Sequence, residues 1–207
     1  MNEDIKKLKL GAVLFEGFEL LDMYGPLELF GMTQNIDIVM LAEEAGRVRS
    51  AQGPVSVADL SMREVDQLDI LLIPGGRGTR KLVTNESFLS ELVRLSSLAE
   101  YVCTVCTGTS LLAKAGDLDG VKATTNKRSY QWVTSQGPAV KWIPEARWVE
   151  DGKYFTSSGV SAGMDMALGL IEKLFGKEKS LEAANYAEYD WHQDKSWDPF
   201  AKKAGLV

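Results

Sequence analysis

Histidine is nearly absent from this chain: His192 is the only one in 207 residues. A Cys-His dyad, a Ser-His-Asp triad or a multi-histidine metal site must therefore use His192 or not exist. It lies late, in Tyr189-Asp190-Trp191-His192-Gln193-Asp194, where it reads as a surface or interface residue beside aromatic packing. Cysteine is almost as scarce. Two, Cys103 and Cys106, are too few with one histidine for a closed structural zinc site, and their number suits a reduced, cytoplasmic protein. No apolar stretch is long enough to span a bilayer, and Met1-Asn2-Glu3-Asp4-Ile5-Lys6-Lys7 shows no secretory apolar region. No block of lysine and arginine relieves a formal charge of -6, which argues against a nucleic-acid partner. The ligand expected is a small molecule, with no metal or other cofactor and no membrane.

What is present is a core. Hydrophobic residues make up 45% of the chain, ample for one domain over 1–207. Short apolar runs alternate with helical patterns. Leu8-Lys9-Leu10-Gly11-Ala12-Val13-Leu14-Phe15 and Asp69-Ile70-Leu71-Leu72-Ile73 read as buried strands, and Lys122-Ala123-Thr124-Thr125 as a short one. A hairpin is expected over 48–57, broken by Gln52-Gly53-Pro54, and another around Asp151-Gly152. Pro26 suits the first turn of a helix beginning near Gly25, 87–97 is helical, and 161–175 is a helix capped near Ser161 and ended by Gly176. Strand-helix alternation of this kind implies an α/β fold: a mostly parallel, doubly wound sheet with helices on both faces. The aromatic and acidic segment 186–200 reads as a tail packed on the core or on a neighbouring subunit.

Cys106 ends the apolar run Tyr101-Val102-Cys103-Thr104-Val105 and precedes the helical pattern Thr107 to Ala115. That is the layout of a nucleophile elbow, where helix N–H groups favour a thiolate. Thr104 stands where the generic elbow has a small glycine, and a buried structural cysteine is the alternative. The Cys103-x-x-Cys106 spacing invites a redox pair, but the exposed nucleophile of that motif is its first cysteine, and here the second sits at the helix start. In a doubly wound sheet the site lies at the carboxyl ends of the strands, which brings together 15–22, 74–78 and 106–107. Cys106 should then lie near an acid, one of Glu16, Glu19 or Asp22. The N–H groups of Gly75 and Gly76 are placed to stabilise negative charge, or to form a plain tight turn.

Several stretches together resemble the DJ-1/PfpI (ThiJ) superfamily: Asp22-Met23-Tyr24-Gly25-Pro26-Leu27-Glu28-Leu29-Phe30, 69–76, Val105-Cys106-Thr107-Gly108, 118–125, and Thr156-Ser157-Ser158-Gly159-Val160-Ser161-Ala162-Gly163-Met164-Asp165. The first and last look most like its isonitrile hydratase branch. The resemblance implies a flavodoxin-like sandwich, a homodimer, Cys106 as nucleophile and Asp22 as the carboxyl touching its sulfur. It also implies Thr107 beside the reacting group, with Gly159 and Val160 in the substrate-binding wall. Asn126 stands where much of the branch has a histidine, which removes the Cys-His arrangement of its proteolytic and amidase-like members. The activity implied is a lyase that converts isonitriles to N-substituted formamides through a Cys106 thioimidate, with Asp22 shuttling protons and its pKa raised. A glyoxalase-like or amidase-like cysteine enzyme, or a redox or ligand sensor without turnover, remain the competing expectations.

Overall fold

The structure, a computed structural model, describes residues 7–207. Met1 to Lys6, most of the segment read for a secretory signal, lie outside the described residues. In chain order the elements are β1 (Leu8–Val13), α1 (Leu20–Met32), β2 (Ile36–Ala42), β3 (Gly46–Arg49), β4 (Val55–Ala58), β5 (Leu60–Ser61), β6 (Ile70–Ile73), α2 (Thr79–Leu82), α3 (Glu86–Leu98) and β7 (Tyr101–Val105). They continue with α4 (Thr109–Lys114), β8 (Lys122–Ala123), α5 (Tyr130–Gln136), β9 (Lys141–Trp142), β10 (Trp148–Asp151), β11 (Tyr154–Ser157), α6 (Ala162–Phe175), α7 (Lys177–Tyr186) and α8 (Pro199–Lys203).

Seven strands form one sheet in the order β10-β11-β7-β6-β1-β2-β5. All neighbours are parallel except β10 and β11, which make the hairpin expected at Asp151-Gly152. The central strands read as unbroken apolar runs because helices cover both faces, and Ile70 to Ile73 are all fully buried. From β1 the chain passes to β2 on one side and later returns to β6 on the other. The carboxyl ends of β1 and β6 therefore flank the topological switch point, where open α/β sheets leave a crevice.

Three local expectations are corrected. Pro26 lies inside α1, not in its first turn, because the helix already starts at Leu20. The start is fixed by the tight turn after β1, where Glu19 N–H donates to Gly75 O at 2.8 Å and Leu20 N–H to Gln52 Oε1 at 3.1 Å. An interior proline costs ~3 kcal/mol, and the burial of Met23, Leu27, Leu29 and Phe30 on the same helix offsets it. Next, Thr124 and Thr125 fall outside the short strand: Thr124 N–H donates to Thr156 Oγ1 at 2.9 Å and the Thr125 hydroxyl to Cys106 O at 2.7 Å. Last, Ser161 precedes α6 without capping it; its Oγ instead accepts from Arg147 Nη2 at 3.3 Å. The segment 187–198 packs on its own chain's core, with Trp191 buried, Arg147 N–H on Lys195 O at 2.9 Å and Asp198 N–H on Glu145 O at 2.7 Å.

Candidate active site

Cys106 follows β7 directly and turns the chain with φ of +57°, a left-handed conformation that costs a non-glycine residue about 1–3 kcal/mol. The turn is clamped from both sides. Cys106 N–H donates to Ser158 O at 3.1 Å, and Thr125 Oγ1 donates to Cys106 O at 2.7 Å. Thr104, in the place of the generic glycine, puts its hydroxyl 2.8 Å from that of Thr109 and so braces the turn from beneath. Val160, at φ of +46°, is a second strained residue, and a β-branched one. The two meet at the sulfur, which takes hydrogen bonds from Thr107 N–H and Val160 N–H.

Asp22 is the acid that reaches the site. It lies in the first turn of α1, fully buried, and its Oδ2 accepts the Gly75 N–H at 2.9 Å. The Cys106 thiol is the side chain that acts on it electrostatically, and Oδ1 is buried without a hydrogen-bond partner among the described residues. Glu16 and Glu19 turn the other way, Glu16 Oε1 accepting Arg49 N–H at 3.1 Å and Glu19 Oε1 accepting from Gln52 Nε2 at 2.6 Å.

The loop after β6 brings these groups together in a way the sequence reading did not foresee. A Cβ on Gly75 would come within 2.6 Å of Thr107 N and 2.8 Å of Asp22 Oδ2, so only glycine lets the three approach. Gly76, at φ of +122°, donates its N–H to Thr107 Oγ1 at 2.9 Å. Both glycine N–H groups are thus occupied by Asp22 and Thr107, and do not point at an open oxyanion position. The Thr107 hydroxyl is held further by Thr79 Oγ1 at 3.2 Å. The N–H groups facing the sulfur come from Thr107 and from Val160, beside Gly159.

Electrostatically the pocket is short of positive charge. Burial pushes the Asp22 carboxyl up to about 7, with Glu19 adding to the rise and the Gly75 and Cys106 hydrogen bonds opposing it. Cys106 is only 6% exposed, and burial, then the Asp22 charge, pushes its thiol well above the usual range despite the two N–H groups. The expected low-pKa thiolate is thereby corrected: at this depth desolvation outweighs the helix end. The pair therefore holds two protons below about pH 7 and one above it. Cys103 is buried in β7 and burial alone raises its thiol; both cysteines are free.

His192 stands apart from this cluster. Its N–H donates to Asp165 Oδ1 at 2.9 Å and its ring lies 5.8 Å from that of Trp197. No group of three or more possible metal-ligating side chains occurs among the described residues, and no helix there is long and apolar enough to cross a membrane. Sequence reasoning missed a second buried network. Arg147 Nε donates to Asp165 Oδ2 at 2.7 Å and Nη1 lies 3.9 Å from Asp198 Oδ1. Lys127 Nζ donates to Thr124 Oγ1 at 2.7 Å and Ala146 O at 2.6 Å, with its pKa lowered by burial to about 8. Its members come from four distant segments and share no motif that could have exposed them.

With this geometry in hand, the likeness to known proteins has a physical basis. A family model described as DJ-1/PfpI matches residues 9–173. The chain is 30% identical to an isonitrile hydratase of Pseudomonas putida over 183 residues, 88% of this chain and 78% of that protein. It is 28% identical to a deglycase of Thermococcus kodakarensis over 152 residues, 72% of this chain and 89% of the other. A crystal structure of a ThiJ/PfpI family protein from Pseudomonas syringae superimposes with a TM-score of 0.82 at 28% identity, covering 89% of this chain and 76% of that one.

Proposed function

The chain belongs to the DJ-1/PfpI family, and from that premise we propose that it is a cysteine-dependent hydratase converting small isonitriles to N-substituted formamides. The observation that carries this reading is the Cys106–Asp22 pair: a thiol and a fully buried carboxyl side by side, with no histidine or cation among the described residues acting on either. In the first step the thiol adds across the terminal carbon of R–N≡C. Sulfur forms the new bond, the thiol proton passes through Asp22 to the same carbon, and R–N=CH–S–Cys106 results. Water then adds to the C=N bond, hydroxyl to carbon and proton to nitrogen. Finally the C–S bond breaks as the hydroxyl proton returns through Asp22 to sulfur, releasing R–NH–CHO.

Each step moves one proton over a short path, which suits a carboxyl with a pKa near the working pH. Thr107 and Val160 N–H groups steady negative charge on sulfur, while Gly75 and Gly76 hold the carboxyl and the Thr107 hydroxyl in register. Gly159 keeps Val160 and Asn126 close, since a Cβ there would strike the Asn126 side-chain nitrogen. A homodimer and a cytoplasmic location belong to the same reading. Carbonyl chemistry of the deglycase or glyoxalase kind is its rival, favoured by the second relative above. A product panel with isonitriles, 2-oxoaldehydes and amides separates them. Formamide formed over many turnovers and lost in Cys106→Ala supports the hydratase; lactate from methylglyoxal, or a single stoichiometric modification of Cys106, sinks it.

A further inference from the structure

Arg128 lines two cavities whose charged walls, among the described residues, are all positive. The smaller, about 210 Å³, is walled by Asn126, Lys127, Arg128, Gly159, Val160 and Phe200 among others, and Val160 is the residue that turns its N–H to the Cys106 sulfur. The larger, about 490 Å³, shares Lys127 and Arg128 and adds Arg80, whose guanidinium carbon lies 3.6 Å from the centre of the Trp132 ring. Among the described residues no carboxylate lines either one, in a chain with 29 acidic side chains against 23 lysines and arginines. Two further cavities show the ordinary mixture: Glu16 and Glu43 beside Arg47 and Lys81 in one, Glu150 and Asp194 beside Lys173 and Lys195 in the other.

Lys127 is partly answered from within. Asp198 favours its ammonium against burial and the Arg147 charge, and Arg147 itself pairs with Asp165 and Asp198. Arg128 and Arg80 have no such partner. Both are exposed, and among the described residues neither forms an ion pair. An unanswered guanidinium at the rim of a small cavity, in an acidic protein, concentrates anions there and matches the planar fork of a carboxylate. We infer that the cavity beside Val160 holds the carboxylate end of the Cys106 site's substrate, with Arg128 as the residue that selects it. Taken with the hydratase reading, on which the reaction but not the anion site depends, the substrate class is small isonitriles bearing a carboxylate.

Alkylation of Cys106 tests the anion site without any turnover. Iodoacetate and iodoacetamide require the same thiolate, so the ratio of their rates cancels the acidity of Cys106 and reads only the charge preference of the approach. Relative to N-acetylcysteine, the ratio should favour iodoacetate by about tenfold, the order expected of a charged hydrogen bond discounted for exposure. It should fall toward the free-thiol value in Arg128→Gln, be largely retained in Arg128→Lys, and shrink as ionic strength rises. A ratio in the unmutated protein no higher than the free thiol's, or one unchanged in Arg128→Gln, overturns the inference. A second arm compares kcat/KM for isocyanoacetate with that for its amide, where the same preference and the same loss in Arg128→Gln are expected. If neither isonitrile turns over while the alkylation ratio still tracks Arg128, the hydratase reading falls and the anion site stands.

Discussion

Asp22 and Asp165 are both fully buried, and each sits in the first turn of a long helix, α1 and α6 respectively, two helices that pack on one another. Their company differs. Asp165 is held by the Arg147 guanidinium at 2.7 Å, the Tyr189 hydroxyl at 3.0 Å and the His192 N–H at 2.9 Å. Asp22 has one backbone N–H, the Cys106 thiol as its neighbour, and one oxygen without a partner among the described residues. Burial raises both carboxyls, but around Asp165 a full positive charge and three hydrogen bonds oppose it. Around Asp22 little does, and its pKa reaches about 7. Two solvent-inaccessible carboxyls, Asp22 the deeper and Asp165 the better partnered, therefore take two roles: a fixed anion that ties the tail to the core, and a carboxyl that can take and return a proton at neutral pH.

The contrast breaks first at Cys106. Cys106→Ala should reduce isonitrile turnover to the uncatalysed background while Cys103→Ala keeps it, as measured by formamide production. Equal loss from both would move the reactive thiol away from the elbow.

Asp22→Asn should lower kcat by about a hundredfold or more, the usual worth of a general acid-base group, yet leave Cys106 open to stoichiometric alkylation. In the unmutated protein kcat/KM should rise with pH around 7, as the pair loses the first of its two protons, and the variant should lack that limb. Stability moves the opposite way. A carboxyl whose pKa is raised from 3.8 to about 7 on folding binds its proton more tightly in the native state. Its contribution is therefore most favourable below pH 4 and is lost as the pH rises to about 7, by roughly 4 kcal/mol at most. Asp22→Asn escapes that loss. It should melt higher than the unmutated protein at pH 8, with the difference closing toward pH 4; an Asn variant less stable at pH 8 would mean that Asp22 is as structural as Asp165.

Asp165→Asn should do the reverse, costing about 3–5 kcal/mol in denaturant unfolding because it leaves buried Arg147 only the more distant Asp198, while kcat in the folded enzyme changes little. A hundredfold loss of kcat at full folding would erase the distinction between the two sites. The smallest effect is expected of His192→Gln. Its backbone N–H, not its ring, serves Asp165, so kinetics should stay within about twofold and stability within about 1 kcal/mol. Loss of turnover comparable to Cys106→Ala would bring a Cys-His mechanism back.

Patterns with local causes were legible in the sequence. Apolar runs that must be buried on two faces marked β1, β6 and β7, and their alternation with helices implied the carboxyl-end site where Cys106 meets the loops after β1 and β6. Pro26 misled because helix starts are set by what holds the preceding turn, and here that is Gly75 and Gln52, far along the chain. Gly75 and Gly76 were legible as a tight loop beside the site but not as groups already committed to Asp22 and Thr107.

The sequence by itself determined the order of strands and helices, the place of the cysteine at a strand-to-helix turn, and the poverty in histidine that narrows its chemistry. The resemblance pointed to Asp22 among the three early acids, but only the tertiary structure put it beside the sulfur, had Val160 supply an N–H from a strained turn, and gave Arg147 to Asp165 while no cation among the described residues answers Asp22. The reason is physical. Hydrophobic periodicity is written residue by residue along the chain, whereas the free energy of a charge depends on how deeply it is buried and which partners reach it, and both are properties of segments brought together by folding.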